Sequence, residues 1–521
     1  MNRTFLKPWI LVSLLALTFS GGAHASLLLA VNNTAIQSFD AQLYHVFNDR
    51  FYYVENNDTV FGREWFSHNL QENEEGELLI DIKPNAASGI PSALTEDDIF
   101  EINDTIYFLA DDGTNGIELW YSLGEADTTE LLFDLDSNDF EQVNINDRDP
   151  QQLRAFGDKI VFFAASQFTA NEYDLWMVDG LETTLVKRDV GRLENTVPVD
   201  FVAGENQFYF VTFNDNKEYS LWVSDGTEIG TVNLETFPAN VSIKDLTLLN
   251  GELYFIHDER SLYKTDGGEN NSELVRTFLS DNTVTPSVFF LRAFNNQLIM
   301  AVRDNTQGRE LWVSDGAAGG TEILQDINFG SNAGIADNFF TSSLKNRYTY
   351  ELPVFQNRIY FPADDGSNGI ELWRTDGTEN GTELVANQVN GSGSSNPRNF
   401  VVFDSALYFI AEEEDGADFI YRINSDNLDE IEVVVGDLDN FSTRAQSIRE
   451  IVEMAGSLYF IEETGSGITL WEMDLSGEDE DDGEINGLVD LWFGGASDPL
   501  VIGALLALLL IGRRKLLSRR K

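Results

Sequence analysis

Three features of the sequence predict an all-β chain folded as a β-propeller of about eight or nine four-stranded blades. The first is a repeat: Trp65, Trp120, Trp176, Trp222, Tyr263, Trp312, Trp373, Tyr421 and Trp471 occupy the same place in successive units at spacings of 41 to 61 residues. That period is too long for leucine-rich or ankyrin units and matches a propeller blade. The second is the number of strands per period: between Asn399 and Asp437 the runs NFVVF, ALYFIA, FIYRI and IEVVV are separated by polar or Gly-containing turns. Four short strands per unit is the blade pattern. The third is an aromatic content of 12%, with 37 Phe, suited to large side chains stacked between sheets.

The clearest unit runs from Arg358 to Val385. Arg358-Ile359-Tyr360-Phe361 reads as a strand closed by the Asp364-Asp365-Gly366 turn, and Glu371-Leu372-Trp373 as the next strand. Asp376-Gly377-Thr378 with Gly381-Thr382 reads as a tight turn into the strand Glu383-Leu384-Val385, because Asp and Gly accept turn backbone angles and Thr suits a strand start. The second strands carry Tyr107-Phe108, Phe162-Phe163, Tyr209-Phe210, Tyr254-Phe255, Tyr360-Phe361, Tyr408-Phe409 and Tyr459-Phe460, which would fill the space between blades. The nine unit aromatics, each one just before a turn, are expected to be packing residues rather than ligand-stacking ones.

The last unit has strands near Leu458–Glu462 and Thr469–Met473 but no fourth strand before the acidic run Glu478–Asp482. Leu27–Val31 could supply it, closing a ring and removing two exposed edges. An open superhelical array is the alternative, since nine blades exceeds the usual number.

The ends describe the fate of the chain. Residues 1–25 carry Arg3 and Lys7, an apolar run from Trp9 to Phe19, and Ala23-His24-Ala25, the three regions of a secretory leader with cleavage between Ala25 and Ser26. The repeat body is expected over 26–476, followed by an acidic linker over 477–493. Beyond it, an apolar helix over 499–512 precedes Arg513-Arg514-Lys515, a basic end that stays cytoplasmic and would place the body across the inner membrane.

Composition narrows the partners. Lys plus Arg is 33 against Asp plus Glu 88, a formal charge of −55, which argues against nucleic acid and anionic membranes as ligands of the body. With no Cys, stability of an exported chain rests on burial and sheet pairing. The four His are scattered, so a zinc cluster is not expected.

The repeats resemble the bacterial ELWxxDGTxxGT repeat, best matched by Glu371-Leu372-Trp373, Asp376-Gly377-Thr378 and Gly381-Thr382. Further matches lie at Glu310-Leu311-Trp312 with Asp315-Gly316 and Gly320-Thr321, and at Leu221-Trp222 with Asp225-Gly226-Thr227 and Gly230-Thr231. The resemblance implies a secreted or surface protein of propeller-like architecture with no assigned reaction. The tail resembles the GlyGly-CTERM sorting signal of Gram-negative bacteria, with Gly494-Gly495 ahead of Ser497, the apolar helix, and Arg513 and Arg514. That resemblance implies a rhombosortase that removes the helix, and delivery to the cell surface alongside type II secretion. A plain single-pass anchor is the alternative.

Candidate chemistry is sparse. Asp111-Asp112-Gly113-Thr114-Asn115-Gly116 and Asp364-Asp365-Gly366-Ser367-Asn368-Gly369 are near-identical loops whose oxygens, from Asp111, Asp112, Asn115, Asp364, Asp365 and Asn368, would suit calcium. The same residues are ordinary turn formers. No G-x-S-x-G, H-E-x-x-H or phosphate-loop motif occurs. The expected function is surface recognition or scaffolding through a glycan or protein ligand. The alternatives are a carbohydrate-active or other hydrolytic propeller and a cation-dependent adhesin. An axial cluster of His, Arg and carboxylates would favour the enzyme.

Overall fold

The computed structural model describes residues 28–473 apart from 32–38, 136–149, 193–199, 279–287, 336–351, 436–446 and shorter connecting stretches. Among the described residues there are nine antiparallel sheets of four strands and no α-helix. The chain is a nine-bladed β-propeller. Blade 1 starts at Phe39, blade 2 at Phe100, blade 3 at Gln151, blade 4 at Phe201, blade 5 at Ile243, blade 6 at Val288, blade 7 at Val354, blade 8 at Arg398 and blade 9 at Ser447. In each of the first eight blades the strands lie side by side in sequence order.

Closure is resolved in favour of the ring. Leu28–Val31 pairs antiparallel with Gly467–Met473, in register Leu28 to Met473 and Val31 to Leu470, and so becomes the fourth strand of blade 9. The first strand of blade 1, Phe39–Phe47, packs against the same Gly467–Met473 strand. The first and last described strands are thereby joined in one sheet.

Burial follows from strand alternation, and the apolar side chains meet between blades. Val54, Trp65, Ile106 and Phe108 form a cluster joining blades 1 and 2, and Leu109, Phe162 and Trp176 one joining blades 2 and 3. Equivalent clusters join every later pair up to blades 8 and 9. Large aromatics suit this role because blades splay apart away from the axis and leave space to fill.

First strands of neighbouring blades also touch directly, which places them at the axis. Thr247 Oγ1 donates to Leu291 O at 3.0 Å across blades 5 and 6, and Ile451 N to Asn399 Oδ1 at 2.6 Å across blades 8 and 9. The fourth strands form the outer edges. There a bulge recurs opposite the residue before the unit aromatic, as at Leu119/Trp120, Leu221/Trp222, Leu311/Trp312 and Leu372/Trp373. Such bulges twist an edge and disfavour pairing with another sheet.

Candidate functional site

The residues of the repeat word turn out to build the blade. The motif Glu is buried: Glu64, Glu310 and Glu371 are each 0% exposed. Glu310 accepts from the backbone N–H groups of Ile327 at 3.1 Å, Asn328 at 3.2 Å and Gly334 at 2.8 Å, so it organises the connection to the next blade. Glu64 does the same for Ile82, Lys83 and Gly89, and Glu371 for Gln388, Val389 and the Ser395 hydroxyl. Burial pushes Glu310 up to about 8 and Glu64 up to about 7, against the N–H bonds that pull both down.

The expected tight turn is larger than a two-residue hairpin. Asp376 Oδ1 accepts from Thr378 N at 2.9 Å and Thr378 Oγ1 at 2.7 Å, a short 3-10 turn spans Glu379–Gly381, and the Thr375 and Thr382 hydroxyls clasp its base at 2.7 Å. Blade 4 repeats the arrangement with Asp225, Thr227, Ser224 and Thr231. Gly381 is needed by proximity, since a Cβ there would sit 2.0 Å from Asp376 Oδ1. Hydroxyls of second-strand tyrosines then tie these turns to the blade before: Tyr52 donates to Gly124 O at 3.0 Å and Tyr107 to Gly180 O at 3.1 Å.

Most unit aromatics share one position, opposite a second-strand partner: Phe108 with Trp120, Phe162 with Trp176, Phe210 with Trp222, Phe255 with Tyr263, Met300 with Trp312, Phe361 with Trp373, Phe409 with Tyr421 and Phe460 with Trp471. Trp120, Trp176, Trp312, Trp373 and Tyr421 are buried, whereas Trp222 and Tyr263 are half-buried. Trp65 is out of phase by one residue. Glu64 holds the motif Glu position, so Trp65 falls where the other units have Leu, and Phe66 pairs with Tyr53 and stacks on it at 5.9 Å. Trp65 instead packs edge-on against Phe108 of blade 2 at 5.8 Å.

The two Asp-Asp-Gly loops are self-bonded turns between second and third strands. Asp112 Oδ1 accepts from Thr114 N and Asn115 N, and its Oδ2 from Asn115 Nδ2 at 3.0 Å. Asp365 and Asn368 repeat this, while Asp111 and Asp364 accept from Gly113 N and Gly366 N. Burial raises the Asp365 carboxyl, but the bonds from Asn368 and Ser367 outweigh it and hold it low. The ammonium of Lys83 already pairs with Asp111. Among the described residues no group of three or more His, Cys, Asp or Glu is placed to hold a metal ion. Ala25, Ser26, Gly494, Gly495, Ser497, Arg513 and Arg514 lie outside the described residues.

What the repeat leaves free to vary is the axis. The first strand pairs with the second through Arg154–Val161, Val202–Tyr209, Thr247–Tyr254, Arg292–Ile299, Val401–Tyr408 and Val452–Tyr459. Two residues before each pair stand Gln152, Asp200, Asp245, Phe290, Asn399 and Glu450, one per blade. Gln152, Asp245 and Asn399 occupy bulges with φ of 56°, 58° and 49°. Backbone of this kind in a non-glycine residue is a local strain that clusters at functional positions.

Polar members of this row reach to the next blade. Asp200 Oδ2 accepts from Asp245 N at 2.9 Å and Oδ1 from Leu246 N at 3.4 Å, as Asn399 does from Ile451 N. Asp245 Oδ2 is buried without a hydrogen-bond partner, and the next blade carries its bulge one residue earlier, at Phe289. Burial raises the Asp200 carboxyl, and burial together with the charge of Asp200 raises that of Asp245, while Lys244 opposes both shifts. Lys244 Nζ donates to Val288 O at 3.3 Å, and Arg154 donates to Gln152 Oε1 at 3.0 Å. Across blades 1 and 2, His45 Nε2 meets Glu101 Oε2 at 3.2 Å, whereas His257 stacks on Tyr263 away from the axis.

The axial row, together with Arg154 and Lys244 beside it, therefore carries polar groups of both signs arranged differently from blade to blade. Sequence reasoning missed Asp200 and Asp245. Their only signal is a polar residue followed by an apolar one at a first-strand start, as in Asp200-Phe201, Asp245-Leu246 and Asn399-Phe400, visible once the blades are in register.

No family model matches the chain, and no curated protein matches it. Among solved structures, one from a study of two prolyl endopeptidases is similar at 10% identity and a TM-score of 0.37, covering 70% of this chain and 54% of that one. The β-propeller domain of the Trilobed protease from Pyrococcus furiosus is similar at 12% identity and a TM-score of 0.32, covering 66% of this chain and 98% of that domain. The assignment of the fold rests on the sheet order and strand pairing described above.

Proposed function

We propose that the chain is an exported surface protein that recognises a hydroxyl-rich ligand, a glycan segment, at the axial face of its propeller. One observation carries the reading: the repeated residues are committed to blade construction, while the axial row changes from blade to blade through Gln152, Asp200, Asp245, Phe290, Asn399 and Glu450, with Arg154 and Lys244 beside it. Side chains of both signs with amides suit hydroxyl groups better than a polyanion, which a body of this charge repels. Export and removal of the tail rest on the leader and on the Gly494-Gly495 signal, with a rhombosortase and the type II secretion machinery as partners.

The test uses the mature protein recovered from the cell surface. Mass spectrometry should find a chain beginning near Ser26 and ending near Gly495, and an intact Lys521 terminus in that form would reject processing in favour of a plain anchor. On a glycan array, Arg154→Ala should weaken binding by about tenfold or more, the effect of losing a charged hydrogen bond. Binding that survives Arg154→Ala unchanged would remove the ligand from this part of the axis. A glycan cleaved rather than retained would favour the hydrolytic alternative, with Asp200 and Asp245 as its carboxyl pair.

A further inference from the structure

We propose that the junction between blades 4 and 5 is an acid-tightened seam of the ring, in which one proton shared by Asp200 and Asp245 holds the two first strands together and its loss loosens them. The geometry sets two carboxylates where neighbouring blades meet. Asp200 caps the backbone N–H groups of Asp245 and Leu246 across the seam, and Asp245 sits at the capped position with Oδ2 buried and unpartnered. Like charges this close repel when both are ionised, and a single proton both removes the repulsion and supplies a donor.

Another seam of the same ring serves as an internal control. Between blades 8 and 9 the equivalent cap is the neutral amide of Asn399; of the carboxylates near it, Asp418 accepts from Ile448 N at 2.9 Å and is paired with Arg398 at 2.6 Å, Glu412 lies 3.7 Å from Arg398, and Glu450 is buried at the position Asp245 holds in blade 5. With an amide at the capping position, that seam lacks the pair of capping and capped carboxylates. At the seam of blades 4 and 5 the surrounding charges are Arg154 from blade 3, Lys244 beside Asp245, and Glu259 from the turn after the second strand of blade 5. From blade 6, Arg292 is turned to the carbonyl of Leu352. Arg154 donates to Leu153 O as well as to Gln152, and Lys244 to Val288 O, so both cations are partly engaged by other acceptors.

The direction follows from linkage. Burial raises the Asp200 carboxyl above the usual carboxylate range, and burial plus the charge of Asp200 raises that of Asp245. A carboxyl whose closed-state value is raised stabilises the closed state fully below its open-state value and loses that contribution as pH rises through the closed-state one. The seam is tight near pH 4 and loosens progressively up to neutrality. This holds whether or not the axis binds a glycan.

Hydrogen exchange of the full chain between pH 5 and 8, corrected for the intrinsic rate, reads both seams at once. Opening around Asp245 and Leu246 should rise by about tenfold per pH unit for each proton lost, while the amides of Ile448 and Ile451 should respond little. Asp245→Asn, which removes one of the two carboxylates, should flatten the response and raise protection at pH 8. Asp200→Asn keeps an acceptor oxygen for the two N–H groups and should flatten it as well, giving a second variant if the first folds poorly. An unchanged pH response in the substituted proteins, an equal response at both seams, or loosening in acid would each overturn the proposal.

Discussion

Gly308→Ala should destabilise the propeller by about 4 kcal/mol or more, the largest effect expected of an added methyl at any described glycine. Gly308 has φ of +72°, and a Cβ built on it would lie 1.7 Å from Asn332 O and 2.3 Å from Asn332 C. Neither side can yield easily. The loop that crosses Gly308 is held by the three N–H bonds to Glu310 and by Gly334 N and Ile335 N, which donate to Arg309 O at 3.0 and 3.1 Å. Moving the loop by the ångström or more that a methyl requires would strand several of these buried donors, each at about 1–3 kcal/mol, on top of about 1–3 kcal/mol for left-handed backbone. Gly319→Ala is the control in the same blade, because nothing lies within 4 Å of its added Cβ. Its effect should stay within about 0.5 kcal/mol. Urea unfolding of the two variants checks the difference, and equal midpoints would show that the loop does not press on Gly308.

Trp312→Ala should cost about 3 to 5 kcal/mol, the range for removing a large buried aromatic. Trp312 is 7% exposed and lies in the cluster between blades 5 and 6 with Ile256, Leu262 and Met300. Phe278 meets it edge-on at 5.5 Å, and the Arg276 guanidinium lies 5.1 Å from its ring centre. Removing the indole opens a void between two blades whose backbones are held apart by other contacts, so collapse is limited. Trp222→Ala should cost less, since that ring is half-buried, although its Nε1 donates to Thr212 Oγ1 at 3.0 Å. Thermal melts decide it. A Trp312→Ala protein that melts like the parent would assign the tryptophan an exposed binding role.

Much of the fold was legible because its evidence is local and repeated: strand length, aromatic phase and Asp-Gly turns all sit within one unit. Closure was legible through a deficit, since the last unit lacks a fourth strand and Leu28–Val31 had no partner of its own. The exact role of Glu310 was hidden because its partners are backbone N–H groups 17 to 24 residues downstream, which have no side-chain signature. Trp65 was misplaced by one position because Glu64-Trp65-Phe66 puts aromatic residues at two adjacent places, and only pairing with Tyr53 shows which of them holds the repeat phase. The axial carboxylates escaped for a different reason. First strands are short, bulged and free of the repeated word, so Asp200 and Asp245 look like turn residues until both are seen at one seam.

Ring closure is the claim on which the blade count, the axis and the seams all depend, and an engineered disulfide tests it most directly. The chain has no Cys of its own, so Leu29→Cys with Glu472→Cys gives a single defined pair. These positions are directly opposed across the antiparallel ladder that closes blade 9. Opposed Cα atoms in such a ladder lie about 4.5–5.5 Å apart, within disulfide reach. Mild oxidation of the folded protein should consume both thiols, join the N-terminal and C-terminal peptides in a digest, and raise the thermal midpoint by tying the two ends of the ring. Two thiols that stay free and reactive in the folded protein, with no cross-linked peptide, would contradict a closed ring and leave an open array.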